Sequence, residues 1–204
     1  MTPDQAKSAG EALFQAEATG TQIGLLSLAH PGMTLDDAYA VQGALVARKL
    51  ASGRHGIGWK IGLTSRAMQD ALKIETPDSG ILFDDMLFAD GATVPAGRFI
   101  QPRVEAEIAF ILNAPLSGAG VTRDDVLAAT EAVAPSLEIL DTRILRADPA
   151  TGAIRKVTDT IADNAANAGI VLGTQRHHPS DMDLRWAGAI VKRNGVVEET
   201  GLGA

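Results

Sequence analysis

The chain has 204 residues, 46% hydrophobic and 21% charged, with a formal net charge of −7. This is the composition of a folded globular protein rather than a disordered one, and the acidic balance speaks against a nucleic-acid partner, which favours a basic surface. There is no cysteine, so disulfides, zinc–thiolate centres and thiol nucleophiles are excluded. No stretch reaches the roughly 20 apolar residues of a membrane helix. The opening "MTPDQAKSAGEALFQ" lacks the basic and apolar run of a secretory signal, and the expected location is the cytoplasm.

In chain order, Thr2 predicts a helix cap, with Pro3 at the first helical position, Gln5 three residues after the cap, and Leu13 and Phe14 giving an apolar side. "TLDDAYAVQGALVARKLASG" predicts a second helix. Thr34 caps it, Asp36 and Asp37 suit its positive first turn, and Ala38, Val41, Leu45 and Leu50 trace a stripe; Arg48 and Lys49 lie in its last turns and Gly53 stops it. From about residue 55 the pattern turns to β. "IGWKIGL" predicts a strand, Ser65 opens a short helix to Lys73, and "ILFDDMLFADGATVPAGRF" predicts short β pieces with a turn at Asp90-Gly91. "PRVEAEIAF" is a strand, "GVTRDDVLAATEAVA" a helix capped by Thr122, and "PSLEILD" and "AGIVLG" are short buried strands. "GAIVKRNGVVEETG" is a hairpin turning at Asn194-Gly195. The expected fold class is α+β, a helical N-terminal region over 1–54 leading into a β-rich body over 55–204.

Three carboxylates stand out. Period-two alternation puts Glu105 and Glu107 on one face of their strand, about 7 Å apart at Cα. Glu138 lies inside the apolar run "PSLEILD", where a charge is costly unless it is paired or binds a metal. Spacing alone leaves two readings open: a solvated strand face with partners such as Arg103 and Arg143, or half of an octahedral site for Mg²⁺ or Mn²⁺. Lys60 sits between Trp59 and Ile61, and is either a snorkelling edge lysine or a buried acid–base group. "DTIADNAANAG" carries Asp159, Asp163, Asn164 and Asn167, which suit Asx turns or a polar loop with one Asp as proton shuttle. His177 and His178 read as a surface turn. Neither H-E-x-x-H, G-x-S-x-G nor a phosphate-binding glycine loop is present.

"DAYAVQ", "KIGLTS", "PRVEAEIAF", "PSLEILDTR" and "DTIADNAANAG", in this order and spacing, resemble the 2-oxo-alkenoate hydratases and decarboxylases of the fumarylacetoacetase superfamily. "ETPDSGILFDDMLFADG", "RKVTDTIADNAANAGIVLG" and "RNGVVEETG" resemble its 2-oxo-hept-4-ene-1,7-dioate hydratase and 2-keto-4-pentenoate hydratase branch. The resemblance implies a mixed β-sandwich roll with a helical N-terminal region, Mg²⁺ or Mn²⁺ held by Glu105, Glu107 and Glu138, and Lys60 in the active site. Asp163 or Asp159 is the expected second acid–base group. Arg155, Lys156 and Ser65 are the expected substrate-binding residues, the first two because they adjoin the polar loop. The implied reaction is hydration of 2-oxo-hept-4-ene-1,7-dioate to 4-hydroxy-2-oxo-heptanedioate in aromatic-compound catabolism. A 2-oxo-3-hexenedioate decarboxylase, a C–C hydrolase and a non-catalytic partner subunit are the alternatives. A homo-oligomer is expected, with association with a pathway decarboxylase. Three departures from the family pattern are Trp59 in place of a polar residue, Ser79 in place of a tyrosine, and a chain that stops at "ETGLGA" short of the family's C-terminal end.

Overall fold

The helix-start signals at Thr2 and Thr34 act as expected in the computed structural model, which describes residues 1–66, 69, 70 and 73–203. Thr2 Oγ1 accepts the Gln5 N–H at 3.2 Å and Gln5 Oε1 accepts the Thr2 N–H at 2.8 Å, opening α1 (Pro3–Thr19). The same reciprocal cap between Thr34 and Asp37 opens α3 (Leu35–Ala51), after the single turn α2 (Leu26–Ala29). Each such cap satisfies backbone donors that the helix cannot, at about 1 kcal/mol. α1 packs on α3 through Leu13, Val41 and Leu45, all fully buried, each contributing roughly 1.5–3 kcal/mol. Gly10 allows the close approach, because a Cβ there would run into Ala44 and the Leu45 backbone. The buried stripe of α3 departs from expectation at its end: Leu50 is 49% exposed and Lys49 only 3%. Residues 38, 41, 45 and 49 share a face at helical spacing. The Lys49 ammonium is accommodated there by Glu17 Oε1 at 2.6 Å and the Phe83 ring at 5.3 Å.

Two compact units divide the chain, and they interleave in sequence. The first comprises Met1–Leu87, Thr93–Arg103 and Ile139–Gly169. Besides the helices it holds an antiparallel pair, β1 (Gly56–Gly62) and β2 (Asp78–Phe83), registered Lys60 to Gly80 and Gly62 to Asp78. The short helix expected from Ser65 to Lys73 includes residues 67, 68, 71 and 72, which lie outside the described residues. "DTIADNAANAG" is not the irregular loop expected of it. Val157–Ala162 form a helix, which we number α5, and Asn164–Ala166 form a 3₁₀ turn. Asn164, Ala165 and Ala166 all have positive φ, at 53°, 54° and 57°, a run that costs about 1–2 kcal/mol per residue. The Asn164 side chain anchors it to the Ile81 backbone, accepting the N–H at 2.8 Å and donating to the carbonyl at 2.9 Å. Gly80 passes so close to the Asn164 carbonyl that a Cβ would collide with it.

The second unit comprises Phe88–Ala92, Val104–Glu138 and Ile170–Ala204. β3 (Leu87–Phe88), β4 (Arg103–Leu112), β5 (Thr130–Leu140) and β6 (Asn167–Leu172) form a sheet in the order β3-β6-β5-β4. Thr122 caps a helix as expected, but α4 (Arg123–Ala128) is shorter than predicted. "ATEAVA" leaves it to begin β5, because pairing between two neighbouring strands outweighs the local helix propensity of its alanines. β7 (Gly188–Arg193) and β8 (Val196–Leu202) form the terminal hairpin; Asn194 and Gly195, with φ of 52° and 83°, make the turn, the conformation for which Asn-Gly is selected. The architecture is thus mixed helix and sheet. Among the described residues no helix is long and apolar enough to cross a membrane.

A charge pair organises the first unit. Arg143 is 2% exposed, and its Nε donates to Asp163 Oδ1 at 2.5 Å. Its backbone N–H donates to Asp163 Oδ2 at 2.8 Å, Nη2 to the Asp163 carbonyl at 2.6 Å and Nη1 to the Asn167 carbonyl at 3.1 Å. Burial opposes the guanidinium charge, but the Asp163 carboxylate and then Glu17 hold its pKa above the ordinary value. Removing one partner strands the other in the core, so Asp163→Asn is expected to lower stability by roughly 3–5 kcal/mol in urea denaturation; a loss under 1 kcal/mol would contradict this role.

Candidate active site

The sheet of the second unit brings the three glutamates together. Alternation along β4 sends Glu105 and Glu107 to one face, and β5 is the adjacent strand. Glu138 is buried at 6% exposure, whereas Glu105 and Glu107 are exposed. One carboxylate oxygen from each lies within 4.8 Å of the others. Around a divalent ion of Mg²⁺ size, with bonds of about 2.1 Å, ligand oxygens stand about 3–4 Å apart, so small side-chain adjustments bring this set into coordination range. The donors are all hard oxygens with no sulfur or imidazole among them, which suits Mg²⁺ or Mn²⁺ rather than a softer metal. Arg143, the alternative partner for these carboxylates, is committed to Asp163.

A second polar centre lies in the first unit, on the β1–β2 pair. Lys60 is half-buried and its Nζ donates to the Ala165 carbonyl at 3.3 Å, within the left-handed turn. Asp78, opposite Gly62 in the register, is 4% exposed. A Cβ at Gly62 would collide with both Asp78 Oδ1 and Lys60 Nζ, so the two groups share the space beside that glycine. Burial pushes the Asp78 carboxyl above the usual range, and the Lys60 ammonium only partly counters it. A buried carboxyl beside a lysine can hold and pass a proton. Sequence reading missed Asp78: in "ETPDSG" it looks like a turn residue. The available signal was Gly62 and Gly80 flanking Lys60 in opposed strands.

The remaining sequence-predicted residues are placed as follows. Asp163, expected as an acid–base group, is fully buried and saturated by Arg143. Asp159, its alternative, is equally buried. It accepts the Ser27 N–H at 2.8 Å, the Ser27 hydroxyl at 2.6 Å and the Lys156 N–H at 2.9 Å, tying α2 to the start of α5. Both carboxylates hold the framework of the first unit through these bonds. Arg155 is half-buried, with Nη1 donating to Thr142 Oγ1 at 2.6 Å, and Lys156 beside it is exposed. Ser65 is exposed after β1, and its carbonyl accepts the Gln69 N–H at 3.1 Å. Trp59 is 63% exposed.

No protein-family model matches the chain. Individual relatives do. It is 52% identical over 192 residues to 2-oxo-hept-4-ene-1,7-dioate hydratase of Escherichia coli, covering 94% of this chain and 72% of the relative. It is 42% identical over 204 residues to 2-keto-4-pentenoate hydratase of Paraburkholderia xenovorans, covering 100% of this chain and 74% of the relative. Among solved structures, 4-oxalocrotonate decarboxylase from Pseudomonas putida G7, complexed with magnesium and adipate, superposes with a TM-score of 0.89 at 34% identity, covering 100% of this chain and 75% of that one. The chain belongs to the family of 2-oxo-alkenoate hydratases that includes 2-oxo-hept-4-ene-1,7-dioate hydratase and 2-keto-4-pentenoate hydratase.

Proposed function

We propose that this chain is a divalent-metal-dependent hydro-lyase that converts 2-oxo-hept-4-ene-1,7-dioate to 4-hydroxy-2-oxo-heptanedioate, on the β-sandwich roll of its superfamily, as a cytoplasmic homo-oligomer. The observation that carries it is the convergence of Glu105, Glu107 and Glu138 oxygens within 4.8 Å. The 52% identity to a hydratase of that name supports the substrate, and the magnesium of the structural neighbour supports the cation. Glu105, Glu107 and Glu138 would hold Mg²⁺ or Mn²⁺. When bound, the cation supplies Lewis acidity to the 2-oxo acid end of the substrate, favouring loss of a C3 proton.

The proton inventory is simple. Moving the double bond into conjugation takes a proton from C3 and returns one to C5. Water then adds its oxygen at C4 and a proton goes back to C3. Each half needs a group that accepts and a group that donates. In this reading the pair is Lys60 and Asp78, the acid–base position expected of Asp163 or Asp159 passing to Asp78 because the other two are saturated by Arg143 and Ser27. Asp78, made more basic by burial, accepts as the carboxylate, and the Lys60 ammonium, positioned by the Ala165 carbonyl, donates. Ser65, Arg155 and Lys156 remain the substrate-binding residues.

A second reading is favoured by one observation, the 0.89 TM-score to a decarboxylase. Decarboxylation of a 2-oxo-hexenedioate would use the same carboxylates and is separated by product. Metal-free protein is expected to be inactive and to recover with Mg²⁺, forming 4-hydroxy-2-oxo-heptanedioate without carbon dioxide. Full turnover in chelator would reject the metal role, and carbon dioxide release as the main product would favour the second reading. Asp78→Asn separates catalysis from stability. A carboxyl whose folded pKa is raised destabilises the fold above its unfolded pKa, by an amount that grows until pH passes the folded value. At pH 7 the variant is therefore expected to unfold at the same or higher temperature while kcat falls roughly 100-fold. A lower melting temperature with kcat intact would contradict the assignment.

A further inference from the structure

One face of the β1–β2 pair in the first unit carries Lys60 and Gly62 from one strand and, directly opposite them, Gly80 and Asp78 from the other. The two glycines leave that face open. A Cβ at Gly62 would run into Asp78 Oδ1 and Lys60 Nζ, and a Cβ at Gly80 would run into the Asn164 carbonyl. The left-handed turn Asn164–Ala166 therefore lies against the strand pair beside Lys60, and its Ala165 carbonyl accepts from Lys60 Nζ at 3.3 Å.

Two buried side chains tie β2 to the segment that carries this turn. Asn164, 1% exposed, accepts the Ile81 N–H at 2.8 Å and donates to the Ile81 carbonyl at 2.9 Å, the exchange of bonds that a neighbouring strand would make. Gln42 Nε2 donates to the Ser79 carbonyl at 2.8 Å and to the Ile161 carbonyl of α5 at 3.0 Å. Ser79 and Ile81 flank Gly80, the residue opposite Lys60 in the register, so both ties bear on the position of the turn over the lysine. Three consecutive non-glycine residues at positive φ persist only where their surroundings over-determine them, and strain of this kind gathers at functional sites. Glycine would supply the same backbone more cheaply. Asparagine supplies in addition the clasp on β2.

We propose that Asn164 is a positioning residue for proton transfer: its side chain pins the left-handed turn to β2 and so fixes the Ala165 carbonyl that aims the Lys60 ammonium. This role rests on the reading of Lys60 as the proton donor of a hydratase. Asn164→Gly is the chief test, because glycine takes a positive φ without strain and the clasp alone is removed from the turn. Asn164→Asp keeps the size and the acceptor for the Ile81 N–H but sets an oxygen against the Ile81 carbonyl, and it serves where the glycine variant does not fold. kcat for 2-oxo-hept-4-ene-1,7-dioate is expected to fall roughly tenfold or more, with KM within about twofold. The same substitution made in Lys60→Met is expected to lower kcat less than about twofold further; an equal fold loss in the two backgrounds overturns the proposal. Nuclear magnetic resonance of protein labelled with ¹³C at the lysine ε carbon supplies a readout that needs no turnover, the Lys60 signal being the one lost in Lys60→Met. Lys60 is expected to be more ordered than the exposed Lys7 in wild type and to drop to the level of Lys7 in the folded Asn164 variants. A Lys60 as mobile as Lys7 in wild type, or equally ordered in wild type and variants, overturns the proposal. If wild type turns over no 2-oxo acid, the hydratase reading fails, and the order of Lys60 still decides whether Asn164 positions it.

Discussion

Carboxylates repel, and the sheet of the second unit forces three of them toward one point. Two like charges about 4 Å apart near a protein surface cost about 4 kcal/mol, and Glu138 adds the cost of its own burial. A fold keeps such a cluster only where something positive resides. β4 contributes two members through plain alternation, and β5 contributes the third because it is the adjacent strand. Arg143, one of the two arginines that the spacing offered as partners, is buried against Asp163. A divalent cation has chemical use in a family of 2-oxo acid enzymes, and a structural neighbour is complexed with magnesium.

The first unit solves the opposite problem, holding several charged groups in its interior on specific partners. Arg143 reaches Asp163 and two backbone carbonyls; Asp159 ties Ser27 to the start of α5; Asn164 clasps Ile81. These bonds hold a left-handed turn that would otherwise be unfavourable, and that turn presents the Ala165 carbonyl to Lys60. Strain of this kind persists where surrounding contacts over-determine it. Against this background of hydrogen-bonded polar groups Asp78 differs: it is a buried carboxyl with a raised pKa.

Local signals were legible wherever a few neighbouring residues decide the outcome. Thr2 with Gln5, Thr34 with Asp37 and Asn194 with Gly195 each carry their geometry within four residues, and each forms as expected. Alternation in "VEAEIAF" revealed that Glu105 and Glu107 share a face; that Glu138 meets them depends on strand order, which only the resemblance to known enzymes supplied. "ATEAVA" reads as helix because alanine favours it, and becomes strand because the sheet needs it. Asp159 and Asp163 read as loop carboxylates, since nothing nearby in sequence announces Ser27 or Arg143 as partners. Asp78 was hidden for the same reason: its burial arises from pairing with Gly62, 16 positions earlier.

Manganese binding followed by electron paramagnetic resonance tests the central claim directly, because free and protein-bound Mn²⁺ give different signals whether or not any substrate is turned over. The account predicts one saturable site per chain in the wild type, lost in Glu138→Gln while circular dichroism remains unchanged. Absence of a saturable site, or equal Mn²⁺ binding by the folded variant, would contradict it.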